Sequence, residues 1–403
     1  MLSKEQVWEL ARSVHAYGIE VRRHIHRNPE LSFAEHDTHW YLADQLQDLG
    51  YSFRSHLAGG TGLHAVIEGS RPSPVVALRA DIDALPIQEE TGLPFASERP
   101  GVMHACGHDV HTAILLATAK ALQSIRDDLP GTVVLIFQPG EERNPGGASL
   151  MIRDGVLDQP KVDAIFGLHI DPYLEAGRMA FASGPVMAAP DELRVTVIGQ
   201  GGHGAWPHQT VDPVVTTAQI VTLLQQVVAR NVDPFQPAVI TIGMIQGGSA
   251  HNIIPDEVRL VGTVRTMDEA LRRRMPERIE AVIRGVCEAA GATYRMEYER
   301  GYPVLVNHPD ATDIGRRAAA LVLGEEKVGV MEPSMGGEDF AYYLERVPGT
   351  FARLGARSPG DTAPHGLHTS RLMVDESCIA VGVAYYIQVV QSFLTQNRLG
   401  DKA

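Results

Sequence analysis

Three stretches decide most of what this chain can fold into: Val75 to Asp83, Thr132 to Gln138 and Asp163 to His169. Each is apolar, rich in β-branched residues and closed by a polar cluster. A run without polar alternation reads as a strand buried on both faces, which is the habit of parallel sheets. Between the first two, a helix spanning about 110–125 sets Ala113, Ile114, Ala117 and Ala121 at packing intervals. Strand and helix in alternation imply an α/β class with a mostly parallel sheet and helices on both faces. Sheets of that kind take ligands beyond the carboxyl ends of their strands.

The residues expected at those ends are unusual. Met103 to His111 contains Cys106 among His104, His108 and His111, with Asp109 beside them. Thiol, imidazole and carboxylate are the donors that zinc, nickel and manganese accept. A buried thiol next to a helix-capping histidine is the plainer reading of Cys106 and His108, but three imidazoles around one cysteine favour a metal. Glu141 and Glu142 follow Gln138-Pro139-Gly140 directly after the second strand. An adjacent glutamate pair is usually a solvated turn; at a buried strand's end, one can bind metal while the other moves a proton. Asp81 and Asp83 close the first strand as possible acceptors for ligand imidazoles. His169 and His368 are weak singly and gain weight only because both follow apolar residues near the expected crevice.

The pattern changes near residue 188. Strand Leu193 to Ile198, helix Asp212 to Asn231, strand Ala238 to Met244, strand Val258 to Thr266, helix Asp268 to Ala290 and strand Thr293 to Tyr302 follow in the β-α-β-β-α-β order of a ferredoxin-like unit. The expected division is a discontinuous first domain, 1–187 with 304–403, interrupted by an α+β insert over 188–303. At the N-terminus, Ser3 and Gln6 read as a capping box opening one amphipathic helix with Val7, Leu10, Val14, Tyr17 and Val21 on a face. Helices are also expected at His308 to Leu323 and Asp375 to Leu394. Glycine-rich Gly199 to His208 lacks a phosphate-cradling Gly-Lys-Ser/Thr ending, and the Gly336 to Phe340 turn reads as a helix cap.

Composition narrows the partners. A net charge of −14 argues against nucleic acid and against an anionic membrane. No signal-type apolar core opens the chain, and no run of apolar residues reaches spanning length. Three widely spaced cysteines fit a reducing cytoplasm better than a disulfide framework.

Taken together, the motifs resemble the metallo-aminoacylase and carboxypeptidase family of two-metal amidohydrolases, most closely its hippurate hydrolases, N-acetyl-diaminopimelate deacetylases and plant auxin-conjugate hydrolases. The matching segments are Arg22 to Leu31, Arg79 to Pro86, Met103 to His111, Gln138 to Glu142, Gly201 to His208, Asn252 to Asp256, Gly262 to Arg265 and Gly336 to Phe340, in family order along nearly the whole chain. The resemblance implies Cys106, His108, Glu142, His169 and His368 as ligands of two divalent ions (zinc, manganese, nickel or cobalt), with Cys106 in the bridging place. It implies Glu141 as general base, Asp83 as the carboxylate supporting the site, His203 as a residue reaching a partner subunit's site in a homodimer, and Asn252 and Arg265 as substrate holders. Asp81 stands where other relatives carry a ligand histidine, and the resemblance makes 1–187 with 304–403 a two-metal catalytic domain and 188–303 a lid and dimerisation domain. The implied reaction is hydrolysis of the amide bond in N-acyl amino acids; a dipeptidase or carboxypeptidase of the same family is the alternative, and a non-catalytic metal-dependent binding protein a more distant one.

Overall fold

The computed structural model describes residues 2–395. The chain divides into two compact units, one of Met1–Gly184, Val306–Glu332 and Asp339–Ala403, the other of Pro185–Leu305 and Pro333–Glu338. The short Pro333–Glu338 return segment groups with the second unit, where Ala188 donates its N–H to the carbonyls of Ser334 and Gly336.

The first unit is built on an eight-stranded sheet. From one edge its strands are Ser52–Leu57, Gly62–Glu68, Thr132–Gln138, Val75–Asp81, Ala164–Glu175, Gly349–Arg357, Met179–Phe181 and Val328–Val330. The centre is parallel: Val75–Asp81 pairs in parallel with both Thr132–Gln138 and Ala164–Glu175, and the last of these with Gly349–Arg357. Antiparallel pairs flank it, as at Ser52–Leu57 with Gly62–Glu68. Every residue of Val75–Asp81 and of Thr132–Gln138 is buried, which is what their unbroken apolar runs require. Chain order passes from Val75–Asp81 to Thr132–Gln138 and then back across to Ala164–Glu175. A reversal of this kind opens a crevice at the carboxyl ends.

Helix His108–Gln123 begins two positions before the expected start, so His108 lies in its first turn. Its residues are buried almost all round and pack into the same apolar core as the C-terminal helix Ser377–Thr395. The C-terminal helix is long and apolar enough to cross a membrane by length and composition, with a mean hydropathy of 1.5, but 89% of it is buried inside the protein. It is therefore placed as a core helix of this unit.

The single N-terminal helix expected from periodicity is two helices, Lys4–Ser13 and His15–Arg27. The break falls at Val14, whose backbone leaves the helical region (φ −105°, ψ 0°). Val7, Val14 and Val21 are nevertheless all buried, so the apolar stripe runs through the break. The Ser3–Gln6 capping box is present in both directions.

In the second unit, strands Ala189–Ile198, Ala238–Gly247, Glu257–Thr266 and Thr293–Glu299 form an antiparallel four-stranded sheet in spatial order second, third, first, fourth. Helices Pro213–Asn231 and Glu269–Ala290 complete the β-α-β-β-α-β pattern. Each helix has an aspartate N-cap: Asp212 accepts from the Val214 and Val215 amides, and Asp268 from Leu271. Leu193, Val195, Val197, Ile220, Leu224, Ile279 and Ile283 make its core. Buried Asp191 anchors one end, accepting from Arg272, Tyr298 and the Gly301 amide.

Candidate metal centre

Five potential ligands of the first unit meet in two overlapping groups. Donor atoms of Cys106, His108 and His169 all lie within 4.8 Å of one another, and so do those of Cys106, Glu142 and His368. The thiol belongs to both. Local backbone brings this about: Gly107, between Cys106 and His108, has φ 84°, and a Cβ there would meet Ile170 Cδ1 at 2.3 Å. Only glycine fits a turn this tight in the left-handed region. His368 itself adopts φ 60°, and its amide is tied to the Ala105 carbonyl at 2.7 Å. A non-glycine residue in that region is uncommon and is held there by its surroundings.

Hydrogen bonds fix which ring nitrogens are free. His108 Nδ1 lies 3.0 Å from the Asp83 carbonyl and 3.1 Å from Asp83 Oδ1, so Nδ1–H donates. His108 Nε2 is buried and has no hydrogen-bond partner. His169 Nδ1–H donates to the Ile170 carbonyl at 2.8 Å, which turns Nε2 toward Cys106 Sγ at 3.4 Å. His111 differs. Its Nδ1–H donates to Asp81 Oδ1 at 2.6 Å, and its Nε2 accepts the Ile170 amide at 2.9 Å. Both nitrogens are taken, so His111 holds Asp81 and has no lone pair to give a cation.

Asp83 accepts from His108 on one oxygen; on the other it accepts the Ser32 hydroxyl at 2.6 Å and the Glu142 amide at 3.0 Å. A carboxylate that orients a ligand imidazole is the usual support of a metal site. Glu142 Oε1 stands 3.1 Å from His368 Nε2 and 4.0 Å from His108 Nε2. Glu141, adjacent and 6% exposed, offers its own carboxylate within 4.8 Å of His108 and Glu142 donors.

Electrostatics agree with a cation-seeking cluster. Burial raises the Cys106 thiol, and the Glu142 charge adds to it. Burial would lower His108, but Asp81 and Cys106 outweigh it and hold the ring well above its ordinary value. Hydrogen bonds to Cys106 and Glu142 hold His368 up to about 10. A field that binds protons this firmly favours a divalent cation still more. Burial and the nearby His111 keep His169 well below its ordinary value, leaving its ring neutral. The orphaned His108 Nε2 and the thiolate, imidazole and carboxylate donor set fit a pair of divalent ions.

Motif residues without a ligand or catalytic role anchor this cluster. Buried Arg79 bridges Asp81 at 2.7 Å and Asp339 at 2.8 Å. Asp339 also accepts from Gln138 Nε2 and the Ala148 amide. The Gly336 to Phe340 turn therefore supplies a buried tie between strands through Asp339, and not the helix cap expected of it.

The remaining proposed site residues belong to the second unit. His203 is exposed in the two-residue strand Gly202–His203, paired with Ile253–Ile254, and its Nδ1 accepts the Ala205 amide at 3.1 Å. Asn252 is exposed just before that pair, and its carbonyl accepts the Gly204 amide at 2.8 Å. Arg265 is half-buried with Nε on Thr263 Oγ1 at 3.0 Å, and burial lowers it below the ordinary guanidinium value.

Comparison with known proteins settles the family. The model of peptidase family M20/M25/M40 matches residues 77–392. The chain belongs to that family. It is 46% identical to an N-acyl-L-amino acid amidohydrolase of Geobacillus stearothermophilus, over 77% of this chain and 83% of the relative. An N-acetyl-L-cysteine deacetylase of Bacillus subtilis (strain 168) is 42% identical over 94% of this chain and 88% of its own. Among solved structures, the Bacillus subtilis YXEP protein, described as a dinuclear metal binding peptidase from the M20 family, superposes with a TM-score of 0.81 at 35% identity, covering 94% of this chain and 98% of that one. The M20 chain is thus a hydrolytic enzyme whose first unit carries a binuclear-type ligand cluster.

Proposed function

We propose that this M20 enzyme hydrolyses the amide bond of N-acyl amino acids, hippurate-like or N-acetylated, releasing a carboxylic acid and a free amino acid. One observation carries the reading: a thiol shared by two ligand triples stands beside paired glutamates at one strand end. Cys106, His108, Glu142, His169 and His368 would hold two divalent ions, with zinc, manganese, nickel and cobalt all suited to the donors. Bound there, such ions would lower the pKa of a water and polarise the acyl carbonyl.

The chain's own groups do the rest. Glu141 takes the proton as the water oxygen attacks the acyl carbon, then passes it to the amine nitrogen as the C–N bond breaks. Asp83 keeps His108 in the tautomer that presents Nε2. We assign His203 to the oxyanion, and Arg265 with Asn252 to the substrate carboxylate. Arg265 is suited to that role because it makes no ion pair among the described residues and is partly desolvated. We further propose a homodimer formed by the second unit. Strand Ala238–Gly247 is a sheet edge, and its Met244 and Ile245 are 38% and 54% exposed. A reducing compartment, the cytoplasm, suits three cysteines that are all free and buried.

A substrate panel tests the reading. Metal-loaded enzyme is assayed against hippurate, N-acetyl amino acids and dipeptides, each with and without chelator. Chelator-sensitive release of free amino acid from the acylated series is expected. Preference for dipeptides would transfer the assignment to a peptidase of the same family, and inertness toward all three would remove it.

A further inference from the structure

Glu35 is a buried carboxylate that no catalytic or ligand role accounts for. It is 0% exposed and makes no ion pair with a cation among the described residues. Burying such a group is costly unless its lone pairs are filled. They are: Oε1 accepts the amides of Phe33 and Gly140, both at 2.9 Å, and Oε2 accepts the Thr61 hydroxyl at 2.8 Å. Phe33 is local, and Thr61 lies 26 residues on. The third, the Gly140 amide, lies far along the chain and immediately precedes Glu141.

The turn carrying Glu141 is gripped on both sides. Gly140 N–H is held by Glu35, and Glu142 N–H by Asp83 at 3.0 Å. Asp83 Oδ2 is itself fixed by the Ser32 hydroxyl at 2.6 Å, so one segment, 32–35, steadies both amides. Packing enforces the same register. Phe33 adopts φ 64°, and its ring lies where a Cβ on Gly140 would be, at 2.4 Å. Gly140 has φ 65°, a conformation glycine reaches without strain. Two left-handed residues pressed together, with a carboxylate across them, leave the turn little freedom.

We infer that Glu35 is a positioning residue for the proposed general base: by accepting the Gly140 amide it fixes the backbone from which Glu141 reaches the attacking water. This rests on the reading of Glu141 given above. What matters on this account is the acceptor's reach and not its charge. Glu35→Gln keeps an oxygen at the same length for Gly140 and Phe33, while the Thr61 hydroxyl turns to accept from the new amide. Glu35→Asp keeps the charge and withdraws the oxygen by one methylene.

The two variants are compared with wild type by metal content, thermal midpoint, kcat and KM on an N-acyl amino acid that wild type hydrolyses. Glu35→Gln is expected to retain both ions and kcat close to wild type. Glu35→Asp is expected to retain both ions with KM little changed and kcat reduced on the order of 10²-fold, the loss that about 1 Å of misplacement produces. In a Glu141→Gln background, Glu35→Asp should cost nothing further, since two residues acting through one function are not additive. The opposite ranking, with Gln impaired and Asp active, would overturn the inference in favour of a charge effect. An additive loss in the Glu141→Gln background would overturn it in favour of general loosening. Full activity of Glu141→Gln alone would instead overturn the function proposed for Glu141, a result that stands apart from the other two.

Discussion

Residues 108 and 109 are neighbours in one helical turn, and they enter two carboxylate–histidine clusters of opposite character. His108 faces Asp81, Asp83, Glu142 and Cys106. Asp109 faces Arg22 Nε at 3.1 Å and His26 Nδ1 at 2.9 Å. In the second cluster every charge has a counter-charge: Arg22 also meets Glu376, and His26 Nε2 meets Glu89 at 3.3 Å. In the first, acidic groups outnumber the fixed cation Arg79; ring nitrogens without a hydrogen bond occur beside both, on His108 in the first and on His104 against the second. Buried charges are tolerated when paired and sought out by metal ions when not. Histidine and carboxylate density therefore does not mark a metal site by itself. Surplus negative charge with an unsaturated nitrogen does.

The contrast predicts where chemistry and where stability reside. The largest effect belongs to the surplus cluster. Glu141→Gln is isosteric and removes a proton acceptor without removing a ligand, so metal content should be unchanged while turnover falls by about 10²–10⁴-fold. Metal analysis beside steady-state kinetics checks both halves. Near-normal turnover would strip Glu141 of its role, and lost metal would move it among the ligands.

In the balanced cluster the same kind of change should strike folding. Asp109→Asn leaves Arg22 and His26 buried beside each other with their common partner gone. Removing one member of a buried pair costs about 3–5 kcal/mol. Denaturant unfolding of the metal-loaded protein measures it. A loss of activity with no loss of stability would mean that the two clusters are not separate, and that Asp109 acts through His108.

How much of this is legible in the sequence follows from the same physics. Val75–Asp81 and Thr132–Gln138 stand out because strands buried on both faces need no alternation. Cys106 and His108 are legible as density, and Glu141 and Glu142 as a pair at a strand end. The ferredoxin-like order of the second unit is readable because its strands alternate cleanly, as in the burial of Glu257–Thr266. The edge strand Ser52–Leu57 is hidden because it is short, polar and exposed or half-buried up to Leu57, and the inner strand Gly349–Arg357 because its arginines and glycines dilute the apolar signal although most of it is buried. The break at Val14 leaves no mark either, because the apolar stripe continues across it. Least visible are the ties that act over long sequence separation. Ser32 and Glu35 are polar residues in ordinary surroundings, and nothing in the sequence pairs them with Asp83 and Gly140, or Arg79 with Asp339, until the fold brings them together. The residues by themselves do not choose between His108 and His111 as ligand; the family resemblance points to His108, and the physical reason, the Ile170 amide filling one His111 nitrogen, shows only in the fold.

The smallest expected effect probes the balanced cluster by pH. Burial alone would lower His26, but the charge and hydrogen bond of Asp109, with a further bond from Glu89, raise it from 6.5 to about 9. A histidine whose folded value is raised binds its proton more tightly in the native state than in the unfolded one. Its contribution is therefore complete below about pH 6.5 and is lost as the pH climbs through about 9. His26→Gln has no such proton to lose. The stability gap between wild type and His26→Gln should be widest below about pH 6.5 and shrink by about 2–3 kcal/mol as the pH rises to about 9.5, since the step from 6.5 to about 9 spans more than two tenfold changes in proton affinity of about 1.4 kcal/mol each. Thermal or denaturant midpoints at a series of pH values read this directly. A gap that widened with rising pH would mean that the ring is neutral in the folded protein and that Arg22 alone balances Asp109.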